Sequence, residues 1–391
     1  MIAEKPSTGS WLKAKRELAY LLSHNTYPTN KDEDFRYTDL SFLHDEKFIK
    51  LTSKASLQAF WNEQEIKSKS IDSCTISNLL ETDSAEIIES NRDFVVSRNT
   101  LNFELGYHIR LNKNNNEDWQ VLKLKHSSEQ GETFFRHLIE AETGSKVIVV
   151  EEFQAENQAL INSITEFKLS QGAQIFYIRR QEQKPESIHL GGVFATLAEN
   201  ADFGSVLLQS GGKLSRITGE FSIDGKQANC SLKGLATMDK TRHSDFTVSV
   251  RHMASNTTSS QTFHNLADDN SSVAFTGLVH VCEGISGIEA DQMNRSLLAS
   301  HDAIAYSRPQ LDILSDDVKC SHGSTTGRPD DDAIFYMRSR GITEKIAREL
   351  QKAAFIKAVI QIPHAGLQKE ITDSILHDNF QKDAEILLEM L

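Results

Sequence analysis

Clustered cysteines are missing from this chain. Its four (Cys74, Cys230, Cys282 and Cys320) lie far apart, with no Cys-x-x-Cys pair. That argues against a disulfide framework and against an iron–sulfur site held by this chain alone. Long apolar runs are missing too: none approaches the ~18 residues of a membrane span. The opening Met1-Ile2-Ala3-Glu4-Lys5-Pro6 has no apolar centre of the kind a signal peptide carries. Basic residues are outnumbered 55 to 42, for a formal net charge of −13, and they form no patch. A nucleic-acid partner is therefore not expected on electrostatic grounds. The composition predicts a soluble, cytoplasmic protein.

Catalytic signatures are absent as well. There is no Gly-x-x-x-x-Gly-Lys-Ser/Thr phosphate loop, no Gly-x-Ser-x-Gly elbow and no His-Glu-x-x-His pair. No nucleophile–base constellation can be assembled from the sequence. Gly191-Gly192 and Gly211-Gly212 read as turns between strands.

What is present is a change of texture along 391 residues, long enough for more than one structural unit. Ser10 opens a helical pattern with Trp11, Leu12, Leu18, Leu21 and Leu22 on roughly one side, and a break with Pro28 follows. Ser56–Ile66 reads as a second helix with Leu57, Phe60 and Trp61 as its apolar face. Short β-prone segments then recur, from Phe94–Val96 and Tyr107–Leu111 through Val147–Phe153, Gly192–Leu197, Lys213–Phe221 and Val273–Val281 to Leu311–Leu314. So many short strands without interleaved helices predict an all-β body, and its length suits a solenoid better than one sandwich or barrel. Helix returns after Pro329. Asp330-Asp331-Asp332 starts a short helix that Gly341 closes, Thr343 caps a longer one, and patterns around Leu367–Ile375 and Phe380–Leu391 follow. The expected division is a helical region over 1–75, a β core over 76–328 and a helical region over 329–391.

The most informative stretch is Asp316-Asp317-Val318-Lys319-Cys320-Ser321-His322-Gly323. On an extended strand, residues i and i+2 share a face. Cys320 and His322 then project side by side as half of a soft-metal site, whose other half must come from elsewhere. His322 is the better ligand, since a neutral imidazole binds without first losing a proton. Cys320 must become thiolate, which Asp316 and Asp317 oppose if close. His280 and Cys282 form a second same-face pair, with His264 and His301 in the same third of the chain. Nothing in the sequence joins these groups, and they read as ordinary strand residues. Asp268-Asp269 reads as a solvated turn.

The octapeptide, continued through Ser324-Thr325-Thr326-Gly327 and Phe335-Tyr336-Met337-Arg338-Ser339-Arg340-Gly341-Ile342, resembles the SufB/SufD family of the Suf iron–sulfur cluster assembly system, and within it the SufD branch. The resemblance is densest over Gln261–Phe355, and Asp32-Glu33-Asp34-Phe35-Arg36-Tyr37-Thr38 supports it near the N-terminus. One departure is Gly327-Arg328-Pro329-Asp330, where the family usually has a Gly-Gln-Leu-Asp type of sequence. The resemblance implies a right-handed parallel β-helix core with helical N- and C-terminal regions. It also implies a non-catalytic scaffold that pairs with a SufB-like paralogue and docks a SufC-like ABC-type ATPase through the C-terminal helices, around Phe335, Tyr336, Met337 and Lys345. Iron or a nascent cluster would be held transiently at the paralogue interface by His322 and Cys320, with no cofactor bound stably by this chain alone. A homodimer is compatible with the absence of partners. The rival expectations are a stand-alone β-helix enzyme and an inert structural homodimer.

Overall fold

The computed structural model describes residues 10–23, 27–45, 52–66, 70–71, 73–82, 93–113 and 118–390. Helix α1 (Ser10–Ser23) is followed by strands β1 (Lys54–Trp61), β2 (Gln64–Glu65), β3 (Ser70–Ile71) and β4 (Cys74–Asn78), then by α2 (Phe94–Asn102) and β5 (Tyr107–Leu111). Two long strands, β6 (Gln120–Ala141) and β7 (Lys146–Leu169), each bend across two faces of the molecule. After them come β8 (Gln174–Gln183), β9 (Ile188–Leu197), β10 (Asp202–Ser210), β11 (Leu214–Ile223), β12 (Asn229–Met238) and β13 (His243–His252). The series ends with β14 (Thr258–Ala267), β15 (Ser272–Val281), β16 (Ile288–Leu298), β17 (Ile304–Ile313) and β18 (Val318–Gly327). Helices α3 (Asp331–Ser339), α4 (Glu344–Lys357), α5 (Ala365–Phe380) and α6 (Ala384–Met390) complete the chain.

The result is a parallel β-solenoid of about eight turns, mainly β with 52% strand. One sheet runs from the first halves of β6 and β7 through β8, β10, β12, β14 and β16 to β18. The other runs from the second halves through β9, β11, β13 and β15 to β17. Stacked positions lie 26 to 32 residues apart in sequence. Between the sheets, Phe167, Phe203 and Phe221 form one aromatic stack, and Phe246, Phe263 and Phe275 another, with centroids 4.8–5.5 Å apart.

These strands bury both faces, as parallel sheets do. In β7 the consecutive residues Val147, Ile148, Val149 and Val150 are all buried. The outward set of the first sheet (Ile148, Ile178, Val206, Leu208, Leu235, Leu266) is covered by Leu350, Ile356, Ile371, Ile375 and Phe380 of α4 and α5. Stacking of Phe355 on His264 at 4.6 Å fixes that docking. The outward set of the second sheet (Leu160, Ile164, Ile188, Leu190, Phe194) is covered by Tyr27, Phe35, Leu40, Leu43, Val95 and Val96.

Three local expectations need correction. Ser56–Ile66 is not a helix. Lys54–Trp61 is a strand that buries Ala59 and Trp61 at period two and pairs antiparallel with β6. Phe94–Val96 is not a strand but the first turn of α2, because the Asp93 carboxylate accepts the Val96 N–H at 2.7 Å as an N-cap. Gly191-Gly192 lies inside β9 rather than at a turn. A Cβ on Gly191 would sit 2.6 Å from the Arg179 guanidinium, so the glycine makes room for a buried arginine. Gly211 and Gly212 do turn the chain, with φ of +80° and +70°. The helix at Ser10 forms, though the side chains of Trp11, Leu18, Leu21 and Leu22 lie outside the described residues, as does Met1–Pro6.

Burial holds several interior histidines neutral. His137 and His252 are each pushed down to about 4, and His126 and His189 well below the usual imidazole value, in every case chiefly by desolvation. A folded pKa below the unfolded value means that stability is fully present above about pH 6.5 and is lost as pH falls toward 4. Urea unfolding should therefore lose about 1.4 kcal/mol per pH unit for each such ring below pH 6.5. A stability profile flat from pH 7 to 5 would show that these rings are charged in the fold.

Candidate functional site

The last coil differs from every coil beneath it. In β16 the inward positions Ile288, Ala290, Gln292, Asn294 and Ser296 are all buried. Directly above them in parallel register stand Val318, Cys320, His322, Ser324 and Thr326 of β18. None of these five is buried. Cys320 and His322 thus share the inward-facing side of a coil that no further coil covers. Among the described residues β18 pairs only with β16, and β17 only with β15, so both outer edges carry unpaired backbone groups. The C-terminal helices lie along the flank of the solenoid, because the apolar surface they must cover is the outward face of the first sheet.

The environment of the pair follows from the turn before it. The Gly287 N–H donates to the Asp317 carbonyl at 3.0 Å and to its carboxylate at 3.2 Å, which sets the start of β18. Lys319 points outward to Glu289 at 2.7 Å. Burial pushes the Cys320 thiol above its ordinary value, while a backbone hydrogen bond from Ala290 works the other way. Desolvation, not the neighbouring acids, is therefore what opposes the thiolate. The His322 ring is exposed.

The N-terminal motif docks beside this end. Tyr37 stacks on Tyr306 of β17 at 4.8 Å, and Glu33 pairs with Arg308 at 2.8 Å. Thr38 donates to the Asp245 carboxylate at 2.5 Å, and Arg216, itself paired to Asp245, donates to the Asp34 carbonyl at 2.6 Å. The segment straps the final coils without covering β18.

The four residues expected at a partner surface divide. Phe335 and Tyr336 are 71% and 60% exposed, side by side on α3. Met337 instead packs against the helical core, while Lys345 stays exposed and pairs with Asp383 at 2.6 Å. Asp330 caps α3 through the N–H groups of Asp332 and Ala333, so Pro329 precedes the helix and leaves its start intact. Asp269 takes a left-handed turn conformation (φ +52°) and Asp268 pairs with Lys352, in line with a turn. His264 serves helix docking, and His301 sits exposed beside Asp302.

Sequence reading missed a buried group, His126, His137 and Glu151, whose ligand atoms lie within 4.8 Å of one another. Its hydrogen bonds argue against a metal. His126 Nδ1 lies 3.1 Å from the Glu152 carbonyl and so carries the proton, which leaves Nε2 as acceptor. His137 Nδ1 accepts the Tyr107 N–H, so its Nε2 is protonated and donates to His126 Nε2 at 2.8 Å. No lone pair of either ring remains for an ion. Glu151 also faces Arg179 at 3.6 Å and accepts from Tyr177. This is a charge-balanced interior network, which no spacing in the sequence announces.

Residues 124–355 match the family model described as SUF system FeS cluster assembly, SufBD core domain. The chain is 25% identical over 389 residues to the iron–sulfur cluster assembly protein SufD of Escherichia coli K12, covering 92% of this chain and 90% of that one. It is 28% identical to an iron–sulfur cluster assembly SufBD family protein of Synechocystis, over 61% of this chain and 55% of the relative. It is also 26% identical to the chloroplastic protein ABCI7 of Arabidopsis thaliana, over 58% and 48%.

Burial separates the thiols. Cys74 is pushed up to about 12 and Cys230 further, both by desolvation, whereas Cys282 and Cys320 are partly exposed. A maleimide applied to the native protein should label Cys282 and Cys320 alone, and all four after unfolding. Mass-mapped labelling of native Cys74 or Cys230 would contradict this packing.

Proposed function

This chain belongs to the SufBD family of the SUF system for FeS cluster assembly, and on that premise we propose that it is a SufD-type scaffold subunit, non-catalytic and cytoplasmic. It pairs through its open solenoid end with a SufB-like paralogue and docks a SufC-like ABC-type ATPase on its C-terminal helices. The observation that carries the reading is the uncovered last coil. A row of unpaired strand groups with Cys320 and His322 on it is suited to continuation by a second solenoid. Iron or a nascent cluster is then cargo held between the chains. His322 supplies a lone pair as it stands, and Cys320 supplies a thiolate once the approaching metal displaces its proton. ATP-driven motion of the docked subunits shifts the two scaffolds and opens that interface.

The exposed Phe335–Tyr336 pair favours the ATPase contact, since large exposed aromatics are typical interface anchors. A stand-alone enzyme has less support. The groove between α5 and the solenoid sets Arg242 and Lys352 against Asp239 and Asp268, opposite charges that pair with each other. A homodimer would use the same open end, so the partners decide between the two.

Co-expression with SufB-like and SufC-like chains, followed by anaerobic size exclusion with mass determination, should yield a stable hetero-complex. Recovery of this chain alone or as a homodimer, with neither partner retained, would remove the reading. Within the complex, His322→Ala should lower the rate of cluster formation with the assembly intact; an unchanged rate sinks its ligand role. Phe335→Ala with Tyr336→Ala should weaken ATPase capture by about 30-fold or more, as loss of an anchor costing about 2 kcal/mol implies, and should leave the chain's unfolding midpoint unchanged.

A further inference from the structure

A second cluster of soft ligands stands on the outer corner of three successive coils. Cys282 follows β15, and its Sγ lies 3.5 Å from His280 Nε2. Met253 follows β13, exactly one coil earlier at a separation of 29 residues, and its Sδ lies 3.1 Å from Cys282 Sγ. From the next coil, Asp312 of β17 stands in register with His280 and approaches its Nδ1 at 2.7 Å.

The proton positions decide what this group can do. A carboxylate only accepts, so His280 Nδ1 carries the hydrogen and Nε2 presents its lone pair toward the Cys282 sulfur, which Met253 adjoins on its other side. This is the carboxylate–imidazole arrangement that orients and strengthens a metal-bound histidine. It is the reverse of the His126–His137 pair, whose lone pairs are spent on the His137 and Tyr107 N–H groups. Two ligands at about 2.0–2.3 Å from one ion stand at most about 4.6 Å apart. Both separations here fall within that span. The set is accessible, with Met253 42% exposed.

We propose that Cys282, Met253 and His280 form a surface site for a soft monovalent cation of the Cu(I) class, with Asp312 positioning the imidazole. Thiolate, thioether and imidazole are the donors that select such an ion over hard cations. The Cys282 thiol proton leaves to solvent as the metal–sulfur bond forms. Thiolate and Cu(I) then cancel in charge, with no oxidation or reduction of either. The site belongs to this chain alone and does not depend on a paralogue or on cluster assembly.

The test uses the full, reduced chain under anaerobic conditions, with Cu(I) supplied in competition with a chromogenic chelator. One equivalent should bind tightly, and X-ray absorption should show two sulfur neighbours and one nitrogen. Cys282→Ser should abolish the tight equivalent, Met253→Leu should weaken it about tenfold, and Asp312→Asn about 10–100-fold. Cys320→Ser combined with His322→Ala should leave it in place. No tight equivalent, or one that survives Cys282→Ser and vanishes with the Cys320/His322 variant, would overturn the proposal. Unfolding midpoints of the metal-free variants separate loss of ligand from loss of fold.

Discussion

A parallel strand needs a partner on each edge, and a stack of coils meets that need everywhere except at its two ends. In this solenoid the first end is closed by the chain itself: β1 lies antiparallel against β6, and β4 against β5. Among the described residues the second end is not closed. The strands are apolar on their outward faces too, and burying that surface is the stronger demand. At roughly 25 cal/mol per Å² of apolar surface, docking a helix on a flank outweighs satisfying strand edges that water can already solvate. The helices therefore lie along one flank and the N-terminal segment along the other. The exposure of β17 and β18, and with it that of Cys320 and His322, follows from this competition.

The same demand explains what could be read from the sequence. Tyr107–Leu111 and Val273–Val281 were legible because β-branched and aromatic residues crowd between Gly, Asn and Ser, and the C-terminal helices because Asp330, Thr343 and Gly341 are strong boundary signals. Lys54–Trp61 was not, since Leu57, Phe60 and Trp61 fit a helical spacing as well as Ala55, Leu57, Ala59 and Trp61 fit a strand. Only pairing with β6 decides between them. In Phe94–Asn102 the valines argued for strand, and a single capping carboxylate reversed them. Strand β16 escaped notice because its inward residues include Gln292, Asn294 and Ser296, polar groups buried against other polar groups. Gln292 donates to Gln261 at 3.0 Å and Asn265 to Asn294 at 2.8 Å, a ladder that hydropathy cannot detect.

Site chemistry was legible only as far as one strand reaches. The Cys320–His322 pair could be placed on one face from spacing alone, and β18 bears that out, but its position on an uncovered coil could not. The four expected partner residues illustrate the same boundary. Phe335 and Tyr336 project from α3 and Lys345 stays exposed on α4, whereas Met337, one position past Tyr336, turns inward by the helical rotation.

His280 and Cys282 carry the same two-residue spacing as Cys320 and His322, yet the two pairs face opposite ways. On β18 the inward side is bare because the stack stops there, so any further ligands must arrive from outside the chain. At the corner after β15 the stack continues, and it brings Met253 from below and Asp312 from above. Neither is near Cys282 or His280 in sequence. The coil length of about 29 residues does the work that a clustered motif does in smaller metal proteins. An interior polar set such as His126, His137 and Glu151 looks more like a ligand group by proximity, but its rings satisfy each other. Tautomer assignment, set by one backbone carbonyl at His126, one backbone N–H at His137 and one carboxylate at His280, distinguishes a closed network from an open site where distance alone does not.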